Sequence, residues 1–176
     1  MRIVAGKYKG RTLNEFSKIG VRPTGDKARE SLFNILAFEI AGSSFLDLFA
    51  GTGAVGIEAI SRGAERVVLN DSSRESIKLI KQNLLKLNEN SAQVLERDAI
   101  SLLAYYNNEF DYIFSDPPYG SNLNESVVAN SVNALKSGGK LIIEDEVPFS
   151  SEVPVGLKIT DQRKYGRAIF TFFTKE

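Results

Sequence analysis

From about residue 44 onward, apolar positions along this chain alternate between short continuous runs, which read as strands, and stripes at three- and four-residue spacing, which read as helices. Residues 45–49 form an apolar run followed by a glycine-rich turn and a helix that ends at Gly63. Residues 66–70 are the next strand. Ser72 and Glu75 then have capping-box spacing ahead of a helix carrying Ile77, Ile80, Leu84 and Leu87 on one face. Residues 93–96 read as a strand, 100–106 as a helix and 110–115 as a buried strand. Residues 123–136 read as a helix closed by Ser137-Gly138-Gly139, and 141–144 as a strand. The rhythm changes at the end, where 157–162 and 168–174 form an antiparallel pair joined through Lys164-Tyr165-Gly166-Arg167. Upstream, residues 1–13 alternate around Gly6 and Gly10 and read as a short β-hairpin. Pro23 and Thr24 then open a helix through about Phe38, with Ala28, Leu32, Ile35 and Leu36 on one face.

Alternating strands and helices predict an α/β fold: a mostly parallel, doubly wound, seven-stranded sheet with helices on both faces and an antiparallel C-terminal strand. A single domain of residues 1–176 is expected, with a basic hairpin-and-helix extension over 1–40 and an α/β body over 44–176 that meet near Gly42-Ser43-Ser44.

Composition narrows the chemistry. The chain has no cysteine and no histidine, which removes thiolate zinc sites, catalytic thiols, every Ser-His-Asp scheme and the commonest metal ligand. Catalysis is left to carboxylates, hydroxyls, lysines and backbone groups, with no metal expected. The first residues lack the apolar core of a signal peptide and no run approaches the length of a membrane span, so a cytoplasmic protein with no membrane partner is expected. Net charge is zero, yet residues 1–30 carry eight Lys/Arg against three acids, a net +5 that leaves −5 on the remainder. A basic arm on an acidic body suggests a face that meets a polyanion, with Arg2, Lys7, Lys9, Arg11 and Arg22 as phosphate contacts. A solvated, mobile arm is the plain alternative.

Asp116-Pro117-Pro118-Tyr119 stands where the apolar run 110–115 stops. Both prolines keep the backbone extended and neither has an N–H, so the loop presents acceptors: the Asp116 carboxylate and nearby carbonyls. Tyr119 adds a face on which a base can stack, a contact worth roughly 1–3 kcal/mol. Read alone, the four residues fit an ordinary proline turn equally well.

Gly51-Thr52-Gly53-Ala54-Val55-Gly56 follows a strand and opens a helix, which matches the dinucleotide fingerprint, and Asp71 lies where a ribose diol is held. A nicotinamide-dependent oxidoreductase is therefore one reading. Asp47, directly before the glycines, would discourage a pyrophosphate and suit a cationic ligand. Asp98 ends the third strand, placed to accept from an adenine amine, and Asp116 ends the fourth. Ligands of open α/β sheets bind at the carboxyl ends of the strands, where all four acids would converge. A sulfonium-bearing nucleoside fits them better than a dianionic dinucleotide.

Asp47-Leu48-Phe49-Ala50-Gly51-Thr52-Gly53, Asp71, Asp98 and the Asp116 loop together resemble class I S-adenosylmethionine-dependent methyltransferases of exocyclic base amines, with a Rossmann-like fold. Further stretches are similar to the bacterial guanine-N2 methyltransferases of 16S ribosomal RNA: Arg2-Ile3-Val4-Ala5-Gly6 with Gly10-Arg11, Arg22-Pro23-Thr24, Arg29 through Leu36, Ser61-Arg62-Gly63-Ala64, and Tyr165-Gly166 with an aromatic strand. The resemblance implies that Asp47, Phe49, Ala50, Gly51, Thr52 and Gly53 cradle the methionine part of S-adenosyl-L-methionine. Asp71, where this family usually has glutamate, and Ser72 would hold the ribose, Asp98 and Ala99 the adenine, and Thr24 would close over the methionine end. Asp116, Pro117, Pro118 and Tyr119 would be catalytic. It also implies ribosomal RNA as partner, free or in a small subunit, and a monomeric enzyme. An adenine-N6 or cytosine-N4 nucleic-acid methyltransferase shares this loop, although the short loops leave no separate target-recognition segment. A non-catalytic RNA-binding module would bind RNA without transferring a methyl group.

Overall fold

The structure, a computed structural model, describes residues 1–16 and 25–176. Seven strands form one sheet: β1 (Ser44–Asp47), β2 (Arg66–Asp71), β3 (Gln93–Glu96), β4 (Phe110–Ser115), β5 (Leu135–Asp145), β6 (Leu157–Tyr165) and β7 (Ala168–Lys175). Among the described residues five helices accompany them: α1 (Asp26–Ile35), α2 (Ala54–Ser61), α3 (Arg74–Leu87), α4 (Ala99–Tyr105) and α5 (Leu123–Asn130). The strand order is β3-β2-β1-β4-β5-β7-β6, and only β7 runs against the others. Because the chain winds outward in both directions from β1 and β4, a crevice opens at the carboxyl ends of those two strands.

Alternation along the strands divides the apolar side chains between two cores. Phe45, Val67, Leu69, Ile142 and Phe170 face α1, α2 and α3, whereas Leu46, Val68, Leu141, Ile143 and Phe173 face α4 and α5. In β4, Tyr112 and Phe114 enter the first core but Phe110 joins Ile113 in the second. A register shift against β5 between Phe110 and Tyr112 breaks the two-residue period there and turns Phe110 over. Among the described residues no helix is long and apolar enough to cross a membrane.

Several elements depart from the expectations. Residues 1–13 make no regular hairpin but a loop closed by one antiparallel bridge, Arg2 to Thr12. Ile3 still pairs across the loop with Arg11 and Gly10, but beyond it the donors turn to the body: the Val4 and Ala5 amides donate to Glu58, and the Lys7 amide to the Ser61 carbonyl at 2.7 Å. Gly6, at φ +80°, allows that approach, since a Cβ on it would lie 1.7 Å from the same carbonyl. Pro23 and Thr24, expected to open α1, lie outside the described residues. Helix α5 ends at Asn130 rather than 136, and Ser137-Gly138-Gly139 is an irregularity inside β5, not a helix cap. Gly138 is at φ +75°, and a Cβ on Gly139 would come within 2.9 Å of the Phe110 carbonyl, so this pair lets β5 close against β4 across the register shift. The cap of α3 is Ser73, whose hydroxyl accepts from the Ser76 amide, not Ser72. Strand β6 continues through Tyr165, which narrows the final turn to Gly166-Arg167.

Candidate active site

Strand β1 ends at Asp47, and residues 48–53 turn the chain into α2 at Ala54. The turn needs left-handed backbone at Gly51 (φ +54°) and at Gly53 (φ +82°), the residue that starts the helix. Gly56, one turn in, brings α2 onto the sheet, where a Cβ would meet the Leu69 side chain at 2.2 Å. The Asp47 carboxylate accepts from the Gly56 amide at 2.9 Å. Asp71, from the end of β2, receives the Gly51 amide at 2.9 Å on one oxygen and the Ser73 amide at 2.8 Å on the other. Thus one carboxylate pins the glycine turn and another the start of its helix.

Buried amides complete the support. Asn70 donates to the Leu48 and Arg97 carbonyls, and Asn83 donates to the Thr52 carbonyl while it accepts from the Asn14 amide. Nothing in the local sequence distinguishes these two asparagines from surface ones, because their partners lie far away in the chain.

Around this turn lies a cavity of about 590 Å³, within the range of nucleoside-sized sites. Asp47, Phe49, Ala50, Gly51, Thr52, Asp71 and Ser72 line one side, and Asp116, Pro117, Pro118 and Tyr119 close the other. Two strand ends, β1 and β4, deliver the two groups to one space. Val55 and Glu75 also line it, as do Phe16, Phe114 and Leu123, three residues that motif spacing does not single out. Gly53, Asp98 and Ala99 do not. Gly53 serves as the helix-starting residue, and Ala99 packs into the core under α4. Asp98 is exposed and caps α4 by accepting from the Ser101 amide at 2.9 Å, a bond that holds its carboxyl below the usual range. Thr24 lies outside the described residues.

Electrostatics favour a positively charged occupant. Burial pushes the Asp47 carboxyl up to about 8 against the Gly56 hydrogen bond, with the charges of Asp116 and Asp71 adding to the rise. At neutral pH this acid keeps its proton, and a cation in the cavity would relieve the cost of ionising it. A dinucleotide pyrophosphate would instead be repelled by the charges of Asp71 and Asp116. The residues therefore fit S-adenosylmethionine, whose sulfonium and ammonium groups carry positive charge.

The basic arm is fixed to the body. Lys7 pairs with Glu89 at 2.8 Å, the Tyr8 hydroxyl donates to the same carboxylate, and Arg11 donates to the Lys86 carbonyl at the end of α3. Burial acts to raise the Glu89 carboxyl, but hydrogen bonds from Lys7, Ser91 and Tyr8 outweigh it and bring it down to about 2. The Arg2 carbonyl accepts from the Arg29 guanidinium. Lys7 and Arg11 thus fasten the arm although they stay exposed; Lys9 and the Arg2 side chain are exposed as well, and Arg22 lies outside the described residues.

A sheet of this order with a glycine turn and an Asp-Pro-Pro-Tyr loop on one cavity defines a class I S-adenosylmethionine-dependent methyltransferase. Residues 1–174 match the family model described as Conserved hypothetical protein 95. The chain belongs to that family, together with ribosomal RNA small subunit methyltransferase D. It is 38% identical to the Escherichia coli protein of that name over 89% of this chain and 77% of the relative, and 37% identical to the Haemophilus influenzae one over 83% and 79%. The solved structure of yhhF from Escherichia coli superposes with a TM-score of 0.88 at 32% identity, over 100% of this chain and 98% of the other.

Proposed function

We propose that this protein transfers a methyl group from S-adenosylmethionine to the exocyclic N2 amine of a guanine in the 16S RNA of the small ribosomal subunit. The observation that carries the reading is the position of the Asp116-Pro117-Pro118-Tyr119 loop on the same cavity as the glycine turn. The ribosomal substrate is supported by relatives named for small-subunit RNA methylation.

Guanine's exocyclic amine is a poor nucleophile because its lone pair is delocalised into the ring. With the Asp116 carboxylate and the Pro117 carbonyl each accepting one of its hydrogens, the nitrogen becomes pyramidal and its lone pair is aimed along the line of attack. Bound S-adenosylmethionine supplies the electrophilic methyl group. The chain contributes orientation and stabilisation of the positive charge that develops on nitrogen, and Asp116 takes up the proton released once the new bond has formed. Tyr119 stacks on the extruded base and offsets an unstacking cost of a few kcal/mol. Asp47, Phe49, Ala50, Gly51 and Thr52 hold the methionine part of the cofactor, and Asp71 and Ser72 its ribose.

Small-subunit RNA from cells lacking the gene, incubated with methyl-labelled cofactor and digested to nucleosides, is expected to carry its label in N2-methylguanosine. Label in N6-methyladenosine or N4-methylcytidine would replace the guanine assignment, and no label would remove the enzymatic one.

A further inference from the structure

Tyr119 is half exposed and faces more than the cofactor cavity. On its far side lies a cleft of about 480 Å³. Lys27 and Ser31 of α1 form one wall of this cleft, and Lys164, Tyr165 and Arg167 at the β6–β7 turn form the opposite one. Gly166, at φ +64°, makes that turn tight, and the Tyr165 ring packs on Phe170 at 5.9 Å, which fixes the turn to the core. Lys164 and Arg167 therefore project from a braced hairpin rather than a loose loop.

The charges of this cleft are available in a way that Lys7 of the arm is not. Lys27, Lys164 and Arg167 have no carboxylate within ion-pair distance among the described residues, whereas Lys7 is paired with Glu89 and Arg163 with Asp161. Glu144 and Glu146 also line the cleft, Glu144 buried and Glu146 exposed. Three cations over two acids leave it net positive, and the acids sit at the end of β5, where they suit hydroxyl or N–H donors rather than phosphate.

We propose that this cleft holds the sugar-phosphate backbone of the RNA strand next to the nucleotide stacked on Tyr119, with Lys27, Lys164 and Arg167 on phosphates and Glu146 accepting from a ribose hydroxyl or base N–H. The inference rests on the RNA methyltransferase reading and adds the surface that positions the substrate. The strand enters between α1 and the β6–β7 turn and delivers one base past Tyr119. Phosphate contacts of this kind fix register without reading sequence.

The test is the triple variant Lys27→Ala, Lys164→Ala, Arg167→Ala, with Lys164→Glu, Arg167→Glu as a second variant; all of these side chains are exposed, so the fold is expected to hold. Affinity for a small-subunit RNA fragment is measured by anisotropy across a salt series, and affinity for S-adenosylhomocysteine by calorimetry. The triple variant is expected to bind RNA at least about tenfold more weakly and to lose about 2 from the salt slope, near 0.7 per phosphate contact, with cofactor affinity within about twofold. The charge-reversed variant is expected to lose more. RNA affinity and salt slope equal to wild type in both variants overturn the proposal while the enzyme reading stands. Wild-type protein that binds the cofactor but no RNA overturns the RNA reading itself, and this inference with it.

Discussion

Asp116→Ala is expected to slow methyl transfer by about 10²–10³-fold at saturating RNA and cofactor, the usual consequence of deleting one aligned group that stabilises developing charge. Binding of S-adenosylhomocysteine should change by no more than about threefold, because the contribution is made to the transition state rather than to the ground state. Asp116 is the only carboxylate in the Asp-Pro-Pro-Tyr loop, and neither proline can replace it, since each offers only a backbone carbonyl. The charge of Asp116 also helps to hold Asp47 protonated, so its removal makes Asp47 easier to ionise. That secondary change acts on cofactor binding and is read separately by calorimetry. Asp116→Asn keeps an acceptor but loses the charge, and is expected to fall between wild type and alanine. Single-turnover rates with labelled cofactor decide the matter, and an Asp116→Ala rate near wild type would remove Asp116 from the mechanism.

Glu58→Ala is expected to lower stability by about 3–5 kcal/mol, the cost typical of leaving one buried charge without its partner. Glu58 is fully buried in α2. Its carboxylate accepts the Val4 amide at 2.8 Å, the Ala5 amide at 3.0 Å and Arg62 at 2.8 Å, and it faces the Arg29 guanidinium at 3.7 Å. Arg29 is itself fully buried, and among the described residues two of its nitrogens have no hydrogen-bond partner. Without Glu58, the buried Arg29 guanidinium keeps only Asp26 and the Arg2 carbonyl, two backbone amides lose their acceptor, and residues 1–13 lose a tie to the body. Calorimetry should show the midpoint falling on the order of 10 °C for a domain of this size, with faster proteolysis near the N-terminus. A midpoint within about 2 °C of wild type would show that the network contributes little.

How far the sequence reveals this arrangement depends on how local the cause is. Strands β3 and β4 coincide with their expected limits because each is a short apolar run with polar or turn-forming residues at both ends. Asp47, Asp71 and Asp116 fall on one cavity because strand-end position is itself a local signal in a parallel sheet. Asp98 has the same position but spends its carboxylate on the helix that follows, an ordinary use of aspartate that spacing cannot separate from ligand binding. The glycine pair in β5 looks like a helix stop because its reason, the Phe110 carbonyl, belongs to another strand. That Lys7 is fastened to the body is invisible in the sequence because its partner, Glu89, lies 82 residues away. Glu58 did leave a trace: it is the only charged residue in Ala54–Ser61, a helix buried along its whole length.

If the Asp116 loop holds a guanine amine for methylation, removing that amine alone abolishes transfer. The most direct test replaces the methylated guanosine with inosine, which lacks only that amine, and measures label transfer together with RNA affinity. The expected result is no detectable transfer to the inosine RNA at near-normal affinity, against full transfer to the guanosine control. Labelling of the inosine RNA at the same position would show that the methyl group goes to an atom other than N2.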